Sequence, residues 1–227
     1  MSEHPVTPGK APAERIWLKA LPALVVLLLA VAALSFLLVK GPSKPSLPGG
    51  AQQSAAGEGF YGTLALPAKQ APAIHLRNYL GQPVTLSQYR GKAVLVTFLY
   101  ANCPDVCPLI ASNLRVALNM LGKRASQVQV IAVSVDPRGD TRANVARFVR
   151  EHEMVGRMQY LVGSAGELAP TWAAWHVGST REVGEPELVA HSALVYGITA
   201  TGVLKTIYPS TFEPSEIAHD VPKLAAQ

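Results

Sequence analysis

Val94 to Pro108 reads VLVTFLYANCPDVCP, and the order of residue types in it decides the fold. The first seven residues are a nearly unbroken β-branched, aromatic and aliphatic run. That is the pattern of a strand buried on both faces of a sheet, and it lacks the alternation of a half-exposed strand. Cys103-Pro104-Asp105-Val106-Cys107-Pro108 follows at once, and Leu109 to Leu121 then carries apolar residues at helical spacing and stops at Gly122. Strand, cysteine loop and helix thus form one unit. Pro108 suits the first helical position, which places Cys107 at the N-cap and Cys103 one short turn before it. Both sulfurs should then lie near free backbone N–H groups at the positive end of a helix, with both thiol pKa values lowered.

Outward from this unit the periodicity predicts an α/β domain with a mixed sheet and flanking helices. Two short strands flank Gly81-Gln82 within 74–90. A buried strand is expected over 128–135, a helix over 141–152 with Asp140 as its cap, and a strand over 158–162. Ser164 and Glu167 have capping-box spacing before a helix reaching Trp175. Residues 193–198 and 203–208 form a hairpin across Thr199-Ala200-Thr201-Gly202, and the final helix is interrupted or ended at Pro222. This order fits the thioredoxin fold, enlarged by inserted elements around 158–190.

Ahead of the domain, residues 21–39 (LPALVVLLLAVAALSFLLV) contain no charge. About 19 residues at about 1.5 Å each span about 28 Å, close to the bilayer hydrocarbon thickness. A cleaved signal peptide would have a shorter apolar run and a small-residue cleavage site; Lys40-Gly41-Pro42-Ser43 follows instead. The expectation is a short cytoplasmic tail over 1–20, a transmembrane anchor over 21–39, a Gly/Pro/Ser/Ala/Gln-rich linker over 40–59 and the folded domain over 60–227. Lys10, Arg15 and Lys19 favour a cytoplasmic N-terminus and a domain on the far side. The net charge of +5 is spread along the chain, without the basic block of a nucleic-acid binder.

The chain holds only two cysteines, separated by three residues. A bridge between them closes a tiny loop and adds little stability, so the pair reads as chemical. Two inert core cysteines are the plain alternative, but prolines on either side at a strand-to-helix junction pack a core poorly. Such a pair can hold a soft metal or cycle between dithiol and disulfide. A two-thiolate site for Cu(I) or Cu(II) wants a third ligand, and imidazole suits both states. Of six histidines, His4, His75, His152, His176 and His219 read as surface or packing residues. His191 differs, because in a thioredoxin fold the loop entering the strand at 193–198 faces the cysteine loop.

Three segments together resemble the Sco/SenC family of copper-binding thioredoxin-like proteins: TFLYANCPDVCP (97–108), VSVDPRGDT (133–141) and AHSALVYG (190–197). The resemblance implies a copper site of Cys103, Cys107 and His191, with Asp105 and Asp136 at family positions near it. An alternative for Asp136 is a helix-initiating turn with Pro137. The resemblance also implies a metallochaperone that delivers copper to the dinuclear CuA centre of cytochrome c oxidase. Its partners would be the CuA-bearing subunit and other copper chaperones. The implied location is the bacterial cytoplasmic membrane, single-pass, with the domain extracytoplasmic. Ala190 stands where the family commonly has an acidic residue, and the 199–202 turn departs from the usual Asp-Pro-x-Gly. Both departures leave the three implied ligands in place.

The competing function is a thiol–disulfide reductase that keeps a partner's copper-ligand cysteines reduced. His191 discriminates, since dithiol exchange does not need it. A peroxidase of the peroxiredoxin type would want Thr three residues before the cysteine, where this chain has Tyr100. Zinc normally wants four protein ligands, and three converge here.

Overall fold

The computed structural model describes residues 59–182 and 185–227. The tail, anchor and linker expected over 1–59 lie outside the described residues, save Gly59. Among the described residues no helix is long and apolar enough to cross a membrane. The strands are β1 (Thr63–Gln70), β2 (His75–Asn78), β3 (Pro83–Thr85), β4 (Ala93–Leu99), β5 (Val128–Ser134) and β6 (Met158–Val162), then β7 (Ser179–Glu182), β8 (Glu185–His191), β9 (Leu194–Ile198) and β10 (Val203–Pro209). The α-helices are α1 (Val106–Leu121), α2 (Arg142–Glu151), α3 (Ala165–Ala174) and α4 (Pro214–Ala225).

Eight strands form one mixed sheet in the order β1-β10-β9-β4-β5-β6-β2-β3, and β7 and β8 form a separate pair. β4, β5 and β6 are parallel, while β9 is antiparallel to β4. This is the thioredoxin-like mixed sheet expected. β4 sits in the middle, and every one of its residues is buried, as its unbroken apolar run requires. Successive residues of β9 reach opposite faces. Tyr196 stacks edge-on against Trp175 at the end of α3, at 5.2 Å. A Cβ on Gly197 would overlap Thr206 Oγ1 and stand 3.0 Å from Leu224 Cδ1 of α4. The glycine lets β10 and α4 close on that face.

Two local expectations are corrected, and two elements are additional to those expected. Thr141, and not Asp140, caps α2 by accepting the Asn144 N–H; the Asp140 side chain points inward. The final helix runs through Pro222 to Ala225, because Ile217, Asp220, Val221 and Leu224 keep one buried stripe across it. β1 was unforeseen: TLALPAKQ is short of β-branched residues, and its Pro67 is tolerated on an edge strand. The β7–β8 pair was also unforeseen, since its polar sequence with Pro186 reads as a loop.

The domain's first residues are tied down by Asp220 of α4, which is fully buried. Its carboxylate accepts the N–H groups of Tyr61 and Gly62 at 2.9 Å each and the Tyr208 hydroxyl at 2.8 Å, with His219 Nδ1 at 2.7 Å. Asp220→Asn turns one acceptor oxygen into a donor facing donors. The expected cost is about 1–2 kcal/mol, read as a lower urea midpoint at unchanged slope. An unchanged midpoint would show that this clasp carries no stability.

Candidate metal centre

The parallel register pairs Leu99 with Ser134, so the loops leaving β4 and β5 emerge side by side at one end of the sheet. The first carries the cysteines. The helix starts earlier than Pro108 suggested: Asp105 occupies the N-cap and Val106 opens α1, so Cys107 lies inside the first turn. Any first-turn position tolerates proline, because those amides have no acceptor within the helix, and Pro108 therefore does not fix the start. Asp105 makes no side-chain cap hydrogen bond. The Cys103 sulfur takes that role, accepting the Cys107 N–H at 3.4 Å.

The two thiols are driven apart. Cys103 is pulled down to about 5, first by the hydrogen bond from the Cys107 side chain, with the amides of Asp105 and Cys107 and the Tyr100 hydroxyl adding to it. Cys107 moves the other way, pushed up by burial and by the neighbouring Cys103 sulfur. The expectation that both would fall is thus corrected. A helix start lowers only the sulfur that receives its N–H groups, and the fully buried one pays desolvation. In the reduced, metal-free site, Cys103 is the thiolate and Cys107 the thiol.

His191 is the last residue of β8 and does not lie in a loop, yet it reaches the cysteines. Its Nε2 stands 3.8 Å from Cys107 Sγ, and its Nδ1 stands 3.3 Å from the Ser192 carbonyl oxygen. Nδ1–H donation to Ser192 leaves the Nε2 lone pair facing the sulfur. Such a partner behind the ring is what holds a metal-ligating imidazole in place. Burial lowers the His191 pKa, which keeps the ring neutral at neutral pH.

The spacing fits ligands of one ion. A thiolate at about 2.3 Å and an imidazole nitrogen at about 2.0 Å, subtending about 110–120°, stand about 3.5–3.7 Å apart. Two sulfurs and one imidazole are a soft donor set that suits copper. The trio is not yet closed around one point: among the described residues no group of three His, Cys, Asp or Glu side chains is disposed to hold an ion as it stands. Uptake therefore calls for a small rearrangement of these side chains.

Several supports escaped the sequence reading. Tyr100, buried at the end of β4, places its ring edge-on to His191 with centroids 5.7 Å apart, and its hydroxyl accepts the Val189 N–H of β8 at 3.4 Å. A tyrosine closing a buried apolar strand needs a polar partner, and that was the available signal. Asp140 accepts the Ala101 N–H at 2.6 Å and the Tyr160 hydroxyl at 3.1 Å, fastening the root of the cysteine loop. Burial lifts its pKa to about 6 against those hydrogen bonds. Asp136 accepts the amides of Arg138 and Gly139, which is the turn role offered as its alternative. Asp105 is exposed. His152 sits by Ser112 and Phe148, and His219 by Asp220, while His75 and His176 are exposed. His4 lies outside the described residues.

Comparison with known proteins gives the family. Residues 66–226 match the family model described as SCO1/SenC. The chain is 29% identical over 153 residues to the mitochondrial protein SCO2 homolog of Danio rerio, covering 65% of this chain and 54% of that protein. It is 30% identical over 139 residues to the protein SenC of Rhodobacter capsulatus, covering 60% and 61%. The matched region thus spans little more than half the length of these relatives. Among solved structures, copper-bound ScoI of Bradyrhizobium japonicum is similar at a TM-score of 0.61 and 26% identity, covering 69% of this chain and 99% of that one.

Proposed function

This chain belongs to the SCO1/SenC family, and from that premise we propose that it is a copper metallochaperone serving cytochrome c oxidase assembly. Copper is the cargo, held by Cys103, Cys107 and His191. The observation that carries this reading is the His191 ring, set at ligand distance from Cys107 with its Nδ1 turned to the Ser192 carbonyl. Simple dithiol exchange does not require an imidazole there. The copper bound in the similar Bradyrhizobium japonicum ScoI supports the same reading.

On uptake, the Cys103 thiolate and the His191 lone pair are available without losing a proton, and Cys107 gives up its S–H proton as copper binds. Release is ligand exchange, with the thiolates of an acceptor replacing Cys103 and Cys107 in turn. The acceptor in this reading is the CuA-bearing subunit of cytochrome c oxidase, and other copper chaperones would load the site. Residues 21–39 would hold the chain in the bacterial cytoplasmic membrane, with the 40–59 linker carrying the domain on the extracytoplasmic side.

The split of the two thiols favours a second reading, a reductase of the acceptor's copper-ligand cysteines. The Cys103 thiolate attacks the acceptor disulfide, forming a mixed disulfide and freeing one acceptor thiolate. Cys107 passes its proton to the acceptor thiolate already freed and attacks Cys103, releasing the second acceptor sulfur as a thiolate, so two electrons pass to the acceptor and Cys103–Cys107 is left oxidised.

One experiment separates the two. The copper-loaded chain is mixed with a reduced, copper-free CuA fragment, and the reduced metal-free chain with the same fragment oxidised. Growth of the dinuclear copper absorption in the first mixture alone is the expected result. New acceptor thiols in the second mixture, with no copper transfer in the first, would make the chain a reductase.

A further inference from the structure

We propose that Asp140, acting through the Ala101 amide, fixes the turn that carries Cys103 and so sets where that sulfur stands for copper. It is in this sense a positioning residue of the site. The proposal rests on the copper reading and deepens it.

Cys103 closes a tight turn, in which its N–H is donated to the Tyr100 carbonyl oxygen at 3.2 Å. Such a bond joins the first and fourth residues of a turn, and the amide of the second, here Ala101, finds no acceptor inside it. Ala101 is buried, so its N–H needs a partner from elsewhere in the chain. Asp140 Oδ1 accepts it at 2.6 Å. That bond fastens the turn, two residues before Cys103, to the loop leaving β5.

The carboxylate is itself held. The Asp140 N–H is donated to the Asp136 carbonyl oxygen at 2.9 Å. Its second carboxylate oxygen accepts the hydroxyl of Tyr160, a fully buried residue of β6, at 3.1 Å. Segments from three neighbouring strands, β4, β5 and β6, thus meet at one side chain. Thr141 caps α2, so the helix makes no use of Asp140. A buried carboxylate is unfavourable unless it is well hydrogen-bonded, and bonds to a charged acceptor are short and strong. What this one supplies is a rigid root for the cysteine loop.

Placement matters more for one copper state than for the other. Cu(I) can be held by the two soft thiolates, whereas Cu(II) draws more on the imidazole nitrogen. The Cu(II) site therefore needs the Cys103 sulfur in a fixed relation to His191, within about 0.5 Å. With the turn fixed, closing around the ion is left to the side chains.

The test compares the full chain with Asp140→Ala, Asp140→Asn, Tyr160→Phe and Asp220→Asn. Asp140→Ala leaves the Ala101 N–H without its acceptor. It weakens Cu(II) binding about thirtyfold and Cu(I) binding no more than about threefold. It also broadens the sulfur-to-copper charge-transfer band, because Cys103 then meets the ion in several arrangements. Asp140→Asn keeps an oxygen for Ala101, and the Tyr160 hydroxyl can turn to accept from its amide. This variant stays within about threefold of the parent for Cu(II) and keeps the narrow band. Tyr160→Phe frees one side of the carboxylate and keeps the ring, and it weakens Cu(II) binding about fivefold with Cu(I) unchanged. It carries the test alone if Asp140→Ala does not fold. Asp220→Asn, which loosens the entry to β1, leaves both affinities unchanged and controls for lost stability. In the metal-free chain the Cys103 amide exchanges its hydrogen at least about tenfold faster in Asp140→Ala than in the parent or Asp220→Asn.

Cu(II) binding unchanged in both Asp140→Ala and Tyr160→Phe would overturn the proposal. So would equal losses of Cu(I) and Cu(II), a loss in Asp220→Asn as large as in Asp140→Ala, or Asp140→Asn binding as weakly as Asp140→Ala. If the parent takes up no copper, the copper reading fails by itself. Exchange at the Cys103 amide then decides for or against the fastening by Asp140.

Discussion

Iodoacetamide added to the reduced, metal-free chain at pH 7 labels Cys103 at least about a hundredfold faster than Cys107. Three effects set this ratio, and they do not all point the same way. Ionisation favours Cys103, since a thiol at about 5 is about 99% thiolate at pH 7, whereas Cys107 lies above its ordinary 9.0 and stays almost wholly protonated. Nucleophilicity opposes this, because a low-pKa thiolate is intrinsically slower by about half a log unit per pKa unit. Access then restores the difference: Cys107 is 0% exposed, while Cys103 retains 8% at the mouth of the loop. The rate at Cys103 should titrate with a midpoint near 5. A midpoint near 8 or 9, or equal labelling of both sulfurs, would falsify the division of roles between them.

The same shifts carry a sign for stability. The folded chain holds Cys103 below its ordinary 9.0, so ionisation there stabilises the reduced, metal-free fold most above about pH 9. That stability is lost progressively as pH falls toward about 5. Cys107 is raised, so above about pH 9 the unfolded chain releases a proton that the folded chain keeps. The thiol contribution should rise from pH 5 to 9 and then fall, and urea midpoints of the reduced chain across that range check it. A flat difference between the parent and a Cys103→Ser, Cys107→Ser form would mean that the two shifts are not present in the metal-free fold.

The middle of the fold was legible because each of its signals is local. The buried run of β4 and the helical spacing of α1 can be read within one window, as can the Ser164–Glu167 capping box, which the structure contains in full. The thiol pair was legible for the same reason. What was hidden depends on partners far along the chain. Asp140 looks like a helix cap until the Ala101 amide and the Tyr160 hydroxyl are seen to converge on it. Cys107 looks like a helix-start thiolate until its complete burial is known. The β7–β8 pair has weak local signals, and two strands alone are marginal in water. Its position depends on contacts such as Val189 with Tyr100, which sequence spacing does not report.

His191→Ala is expected to weaken Cu(II) binding by about a hundredfold or more, about 2.7 kcal/mol, and to change the Cu(II) spectrum. The same variant should leave Cys103 labelling nearly unchanged. The reason lies in what each chemistry asks of the ring. Copper needs the Nε2 lone pair that faces Cys107 at 3.8 Å, and alanine has no donor to replace it. Labelling needs the Cys103 thiolate, whose stabilisation comes first from Cys107 and then from loop and helix amides and Tyr100. His191→Gln is the control for packing, since it keeps bulk and hydrogen-bonding capacity without an imidazole. It should bind Cu(II) about as weakly as His191→Ala. Acid offers an independent check, because burial holds the His191 pKa below its ordinary 6.5. Cu(II) binding should therefore persist below the pH at which an ordinary imidazole is half protonated, and weaken in stronger acid as the ring and Cys103 take up protons. If His191→Ala titrates with Cu(II) as tightly as the parent and gives the same spectrum, the three-ligand site is wrong, and the pair of thiols must be explained by electron transfer alone.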